Sequence, residues 1–140
     1  MPRRITRRLE FTPEFREFDM MGVAHNAAYF NWFERGRFQI LNDIMPMSES
    51  LRNKLAVVVL ENRCKYVESI RYEEPILLIT RHKIDDFYTG RLEFEHELSG
   101  LNTKRLHATG FCMCSIINTD TGALAREFPQ ELWQKYSSLK

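Results

Sequence analysis

An acidic residue and a glycine precede the segment of the chain that is richest in aromatic residues. Asp19 lies in a stretch without periodicity, Gly22 permits a tight turn, and His25 and Asn26 stand at the predicted start of a helix. The first N–H groups of a helix have no partner within it, and they favour an anion or a developing oxyanion. A carboxylate beside such donors supplies the parts that hydrolysis of an activated acyl group requires. An Asp before a helix is also an ordinary capping or loop residue, so residue types alone leave both interpretations open.

Three further polar side chains have a chemical and a structural interpretation. His25 is a candidate general base, or simply a polar residue at the helix start. Glu61 is a candidate second carboxylate of the site, or a strand residue that faces solvent or pairs with Arg63. His96 alternates with apolar residues along a predicted strand, which favours a histidine whose ring is hydrogen-bonded within the core.

A long aromatic helix is predicted to follow the loop. Apolar residues at spacings of three and four predict a helix over roughly 25–43, and Pro46 excludes its continuation. Additional apolar residues widen the apolar arc, so we expect a helix enclosed on most sides. The expected polar edge consists of Asn31, Arg35, Gln39 and Asn42. Glu34 and Arg37 are three residues apart and are predicted to form a structural ion pair.

The remainder of the chain is dominated by strand patterns. Strands are predicted at 5–15, 56–68, 75–87, 91–98 and 105–118, with a hairpin turn at 88–90 and a short helix at 129–136. One face of the last strand consists of mostly small residues: Leu106, Ala108, Gly110, Cys112 and Cys114. Such a face leaves room for a bulky helix to approach closely. The element order therefore predicts an α+β fold with an antiparallel sheet around the long helix.

Composition limits the classes of protein. The chain has 140 residues, 44% of them hydrophobic, and a formal net charge of +1. We therefore expect a single domain over residues 1–140, without disorder and without a general attraction for nucleic acid or an anionic membrane. The lack of an apolar signal region or membrane span predicts a cytoplasmic protein. Its three cysteines lack the pattern of a zinc site and are predicted to be reduced packing residues.

The spacing of the loop and helix residues resembles the signature of a known enzyme family. The matching residues are Asp19, Gly22, Asn26, Tyr29, Trp32, Glu34 and Arg37, followed by Tyr66, Arg71, Tyr72, Glu73 and Glu74. They resemble the hotdog-fold acyl-CoA thioesterases of the 4-hydroxybenzoyl-CoA thioesterase-like family, over about residues 5–129. The resemblance implies an antiparallel five-stranded sheet wrapped around one long central helix.

The resemblance also implies roles for individual residues. Asp19 would act on the thioester carbonyl as nucleophile or general base, while the amide near His25 or Asn26 polarises the oxygen. The residues expected to contact substrate are Gly22, Tyr29, Trp32 and Glu61. The expected substrate is an acyl-CoA or acyl-carrier protein, the expected cofactor and metal content is none, and the expected assembly is a homodimer or homotetramer.

Departures from the family pattern leave the acyl group open. Val23 stands where the family often has His, His25 stands where it often has Asn, and Met20 and Met21 give the loop a more apolar character. Two other functions stay under consideration: hydration or dehydration of an acyl thioester, with His25 and Asp19 as the acid–base pair, and binding of acyl-CoA without turnover. The N-terminal arginines are interpreted as a solvated strand edge, or as contacts for CoA phosphates.

Overall fold

The computed structural model describes residues 3–84, 90–125 and 129–140. Its strands are β1 (Arg4–Phe11), β2 (Leu55–Tyr66), β3 (Ile76–Lys83), β4 (Arg91–Gly100) and β5 (Leu106–Asn118). Its helices are α1 (Ala28–Ile44), α2 (Met47–Asn53) and α3 (Gln130–Ser137), and a 3-10 turn spans Phe15–Glu17. The end of the predicted third strand and most of the predicted turn at 88–90 lie outside the described residues. None of the helices in the described ranges has the length and apolar content that crossing a membrane requires.

The five strands form one antiparallel sheet in the order β1-β3-β4-β5-β2. Helix α1 packs against the inner face of this sheet and contacts β1, β2, β3 and β4. Strands β1 and β2 are the two edges, so β2 pairs with β5 on one side only. The predicted α+β architecture, a five-stranded antiparallel sheet around one long helix, is confirmed.

Three element boundaries differ most from the predictions: the end of β1 and the starts of α1 and α2. Strand β1 ends at Phe11 instead of reaching residue 15, because Pro13 lacks the N–H that a ladder requires and the chain turns into a 3-10 segment. Helix α1 begins at Ala28, three residues after the predicted start. Helix α2 was not predicted; it begins directly after Pro46, whose φ of −58° suits a helix start.

Glycines allow α1 to lie close to the sheet. A Cβ placed on Gly110 of β5 would lie 2.4 Å from Cε2 of Phe33 in α1. On the helix side, a Cβ placed on Gly36 would lie 2.2 Å from the Thr80 hydroxyl oxygen of β3. The prediction that the small residues of the last strand admit a bulky helix is confirmed.

Helix α1 is less enclosed than the sequence predicts. Its buried face spans two apolar clusters, one around Trp32 near its start and one around Ile40 that extends to α3. Phe38 is 44% exposed, so the expectation of a narrow polar edge was wrong. The predicted pair of Glu34 and Arg37 was also wrong: Glu34 is exposed, Arg37 is only 4% exposed, and no ion pair joins them among the described residues.

His96 lies in the core between α1 and β3. Its ring stacks on Phe33 at a centroid distance of 4.7 Å, and Nδ1 lies 2.9 Å from the Thr80 hydroxyl oxygen. The predicted core position of His96 is confirmed. The expectation that its ring is satisfied was wrong for Nε2, which is buried without a partner among the described residues. Burial, and secondly the charge of Arg37, lower the pKa of His96 to about 3.

This pKa shift predicts a loss of stability in acid. Because the folded protein keeps His96 neutral, the stabilisation is complete above the unfolded pKa of about 6.5 and is lost as the pH falls toward about 3. We expect the free energy of unfolding in urea to fall between about pH 7 and about pH 5, with about 1–2 kcal/mol of that fall due to His96. The variant His96→Gln keeps a partner for Thr80 and should show a shallower pH dependence. Equal pH dependence of the two proteins would contradict the assignment.

Candidate active site

The loop that contains Asp19 is a closed turn placed immediately before α1. Asp19 N–H donates to the Val23 carbonyl oxygen at 2.9 Å, and Gly22 N–H donates to the Asp19 carbonyl oxygen at 3.1 Å. Gly22 has a φ of +72°, a conformation that glycine adopts without steric cost. A β-bridge between Phe18 and Ala24 closes the base of the turn. The Asp19 loop, residues 19–23, is thus a defined structural unit whose geometry depends on Gly22.

The Asp19 carboxylate has one engaged oxygen and one open oxygen. Oδ1 accepts the Met21 N–H at 2.8 Å and the Val23 N–H at 3.4 Å, which is the loop-capping role that residue types alone favour. Oδ2 accepts no hydrogen bond from any residue that the structure describes. The side chain is half-buried. The loop therefore fixes the orientation of the carboxylate and leaves one oxygen available for chemistry.

The first turn before α1 supplies free N–H groups. The N–H of His25 donates to the Glu17 carbonyl oxygen at 2.8 Å and is therefore occupied. The N–H groups of Asn26 and Ala27 donate to no described residue, and α1 has no side-chain cap. Of the two amides predicted for the oxyanion role, that of Asn26 is the one with an available proton. The His25 side chain is exposed.

Aromatic residues on the core side contact the start of α1 and fix its position. The Tyr66 hydroxyl at the end of β2 donates to the Asn26 carbonyl oxygen at 2.7 Å, and its ring packs edge-on against Tyr29 at 4.8 Å. Trp32 Nε1 donates to a carboxylate oxygen of Glu17 at 2.7 Å. Tyr29 and Trp32 are 3% and 1% exposed, and burial raises the pKa of the Tyr29 phenol. Both side chains support the site from the core, and their contact with substrate stays a prediction.

The surface around the Asp19 loop is apolar. The side chains of Met20, Met21 and Phe15 are almost entirely exposed. Tyr72 packs edge-on against Phe15 and Phe18, with centroids 5.8 and 5.3 Å away. An exposed cluster of this composition offers a surface for an apolar group beside the carboxylate.

The other candidate residues lie apart from this arrangement. Glu61 follows a bulge in β2, and its carboxylate pairs with Arg63 at 2.8 Å, as the structural interpretation predicted. Its contact with substrate stays a prediction. The three cysteines are unpaired, with Cys112 and Cys114 fully buried. Within the described ranges, no group of His, Cys, Asp and Glu side chains is arranged to hold a metal ion.

Sequence reasoning missed two groups that shape the site. Glu17 accepts hydrogen bonds from both the Trp32 indole and the His25 amide, although it was not singled out from the sequence. His107, on β5, contacts a carboxylate oxygen of Glu74 at 2.8 Å, in the segment that packs against the Asp19 loop. No spacing signal marks either residue, because their partners lie 15 and 33 positions away in the chain.

Solved structures with the same fold include several enzymes that act on CoA thioesters. A DHNA-CoA thioesterase from Staphylococcus aureus superposes with a TM-score of 0.80 at 23% identity, covering 95% of this chain and 89% of that one. A 1,4-dihydroxy-2-naphthoyl-CoA thioesterase from Synechocystis gives 0.79 at 12% identity, covering 96% and 97%. A Staphylococcus aureus protein of hypothetical function, solved in complex with CoA, gives 0.79 at 17% identity, covering 100% and 88%. A search of curated proteins gave no significant match.

The fold and these likenesses define a hotdog-fold protein. The sequence profile of the thioesterase-like superfamily matches residues 13–135. The chain therefore belongs to the thioesterase-like superfamily, and the predicted class, a thioester hydrolase, is confirmed.

Proposed function

We propose that the protein hydrolyses an acyl-CoA thioester to the free acid and CoA, with Asp19 as the catalytic carboxylate. The observation that supports this most directly is the unbonded Oδ2 of Asp19, held in a fixed turn next to a helix start with free N–H groups. Membership of the thioesterase-like superfamily and the CoA complex of a protein with the same fold also support it. An acyl-carrier protein with the same thioester is the alternative donor.

Each part of the site has a distinct task in this reaction. Asp19 either attacks the thioester carbonyl carbon through Oδ2 or removes a proton from the water that attacks it. The Asn26 N–H donates to the carbonyl oxygen as negative charge develops there. The carbon–sulfur bond then breaks, and the CoA sulfur leaves as thiolate and takes a proton. In the nucleophilic route this leaves the acyl group on Asp19 as an anhydride, which a water molecule hydrolyses to the free acid and the Asp19 carboxylate; in the general-base route the water oxygen goes directly to the acid. In both routes the elements of water end on the acid and the thiol. This chemistry needs only the carboxylate and the amide, so we propose that neither a metal nor an organic cofactor takes part.

The acyl group that this surface favours is apolar. The methionines of the Asp19 loop and the neighbouring Phe15 and Tyr72 offer hydrophobic contact and few hydrogen-bond partners. Methionine side chains adapt to irregular shapes, so aromatic and aliphatic chains both fit this description.

The experiment is a thiol-release assay over a panel of acyl-CoA esters of different length and aromaticity, run before and after dialysis against a chelator. We expect release of CoA from at least one ester at the same rate in both preparations. Absence of release from every ester would contradict the hydrolase, and loss after dialysis would contradict the metal-free reaction. Hydration is tested in the same samples by following the absorbance of an enoyl thioester. His25 lies beside the loop and is the candidate acid–base group for that reaction. Loss of the enoyl absorbance without release of thiol would favour the hydratase.

We also propose that two copies of the chain pair through the β2 edge. Strand β2 has 12 residues and one unpaired side, and exposed apolar side chains lie on it, with Val59 and Leu60 at 47% and 54%. An open edge of this length is a template for pairing with another strand. A pantetheine arm also needs a groove, which two small domains form more readily than one.

Light scattering during size-exclusion chromatography tests this pairing. We expect a dimer or tetramer for the native protein and a shift toward monomer for Leu60→Lys, because a charge on the strand would be buried in the interface. The control is Leu51→Lys on α2, whose side chain is also exposed, at 72%, and is not part of the β2 strand. A fully active monomeric native protein would contradict the proposal.

A further inference from the structure

His107 is a buried histidine with a hydrogen-bond acceptor at both ring nitrogens. The residue is 2% exposed, with Nδ1 3.0 Å from the Glu68 carbonyl oxygen and Nε2 2.8 Å from Glu74 Oε1. A carbonyl oxygen only accepts, so Nδ1 carries a proton. An ionised Glu74 carboxylate also only accepts, and its contact with Nε2 then requires a second proton on the ring, which is the imidazolium form.

The Glu74 carboxylate links this ring to the turn that follows β2. Its second oxygen, Oε2, accepts the Arg71 N–H at 3.2 Å, while the Glu74 N–H donates to the Arg71 carbonyl oxygen at 3.2 Å. One carboxylate therefore fastens the turn at 71–74 to β5 and also closes the turn. Glu74 is mostly buried, with a side-chain exposure of 21%.

The same turn contacts the Asp19 loop through the main chain. Val23 and Arg71 form a β-bridge, and the Tyr72 N–H donates to the Gly22 carbonyl oxygen at 3.3 Å. Directly after the loop, the Ala24 N–H donates to the Ile70 carbonyl oxygen at 2.9 Å. A displacement of the turn is therefore transmitted to the backbone that orients the Asp19 carboxylate.

We propose that His107 and Glu74 form a buried imidazolium–carboxylate pair that positions the Asp19 loop, and that the pair makes hydrolysis sensitive to alkaline pH. The inference rests on the proposed function of Asp19. His107 and Glu74 are positioning residues, since they act through the turn and the loop.

The charged groups around the pair have other partners, which leaves His107 as the basic side chain that faces Glu74. The Glu68 carboxylate, near the ring, pairs with Arg105 through an Nε–Oε2 contact of 3.1 Å. The Tyr29 phenol is electrostatically coupled to Glu74, but burial raises its pKa, so it stays neutral. Arg71 contributes its backbone N–H to Glu74, and its side chain is exposed. Within the described residues, His107 is the one basic side chain in contact with the Glu74 carboxylate.

Loss of the imidazolium proton would reverse the interaction. A neutral ring with its proton on Nδ1 presents the Nε2 lone pair to a carboxylate oxygen 2.8 Å away. Two acceptors in contact in a buried site repel each other and leave both groups unsatisfied. The turn, the Asp19 loop and the Asp19 carboxylate would then lose their fixed geometry, which lowers kcat more than it changes KM.

The variant Glu74→Gln tests the pair. Gln has the same shape as Glu, but its amide nitrogen pairs with a neutral His107 ring, whereas the Glu74 carboxylate pairs with a ring that is protonated on Nε2. The amide nitrogen of Gln can donate to a neutral Nε2, while its oxygen still accepts the Arg71 N–H. We expect kcat of the native enzyme to fall about tenfold at alkaline pH, the equivalent of one hydrogen bond to a charged group. The kcat of Glu74→Gln should instead hold at alkaline pH and fall in acid, where the imidazolium faces an amide. Glu95→Gln removes an equal charge from an exposed pair with Arg4 and should keep the native profile.

Two measurements decide the pair without reference to activity. NMR of the His107 ring should show an imidazolium near about pH 7 in the native protein and a neutral ring in Glu74→Gln. The protection of the amides of residues 19–24 against hydrogen exchange, measured relative to an unstructured chain at the same pH, should fall when the ring loses its proton. Three results would overturn the proposal. They are a neutral His107 ring at neutral pH, amide protection at residues 19–24 that does not change when the ring loses its proton, and kcat–pH profiles that are the same for the native enzyme and Glu74→Gln. If the native protein hydrolyses no thioester, the proposed function fails, while these two measurements still test the ion pair.

Discussion

Replacing Asp19 by Asn should abolish most of the thioester hydrolysis while leaving the fold unchanged. The amide oxygen of Asn can accept the same N–H groups of Met21 and Val23 that Oδ1 accepts, so the loop keeps its geometry. The variant loses the negative charge that attacks the carbonyl or activates water. We expect kcat to fall by about 10²- to 10⁴-fold, the usual contribution of a positioned catalytic base, with a thermal midpoint close to that of the native protein.

The matched control for this substitution is Asp120→Asn. Asp120 is exposed and pairs with Lys54 at 2.8 Å, so the variant removes an equal charge far from the loop. Its kcat should stay at the native value. Full activity in a correctly folded Asp19→Asn protein would remove Asp19 from the catalytic role and leave it as a capping residue of the loop.

Gly110→Ala should destabilise the protein, although Ala is normally preferred to Gly in a strand. The new Cβ would lie 2.4, 2.6 and 2.9 Å from three ring carbons of Phe33. That ring is 1% exposed and is stacked on His96, so it has no room to retreat. We expect a loss of about 1–3 kcal/mol in the free energy of unfolding, measured by urea denaturation, as for other cases of core overpacking.

A double-mutant cycle identifies the cause of this loss. In a Phe33→Leu background the smaller side chain leaves space for the methyl group, so adding Gly110→Ala should cost less than it does in the native protein. Equal costs in the two backgrounds would show that the close approach of α1 to β5 does not constrain Gly110. A gain in stability for the single variant would contradict the packing assignment outright.

Regular patterns in the sequence predicted most of the fold. Alternating side chains along β4 and the apolar spacing of α1 correspond to a half-buried strand and a helix packed on a sheet, and both elements are present. The small residues of β5 correctly predicted a close approach of the helix. The tight turn at Gly22 was also predicted, and the structure shows there the positive φ that glycine permits.

Features that depend on contacts between distant residues were not predicted. The β2–β5 pairing skips Leu60, and the β4–β5 pairing skips His107. Each bulge interrupts the alternation of side chains between the two faces of the sheet, so the pattern predicts the wrong burial for residues near it. His107 is buried for this reason, although its strand neighbours place it on the outer side of the pattern. The burial of Arg37 also depends on contacts between distant residues. The helical pattern alone does not show which polar residue of α1 the sheet covers.

The candidate site was only partly predictable for the same reason. Residue types indicated Asp19 and the helix start, but the occupation of the His25 amide by the Glu17 carbonyl group required the folded loop. The availability of Asp19 Oδ2 likewise follows from backbone geometry, since Oδ1 is the oxygen that the loop engages.

The central claim, that the protein turns over acyl-CoA, is tested most directly by counting CoA thiol released per mole of protein. With its best ester in large excess, the native protein should release many moles of CoA per mole of chain, together with an equal amount of free acid. Release of no more than one mole per mole of chain, or binding of the ester without release, would contradict the account and indicate a protein that binds acyl-CoA without hydrolysing it.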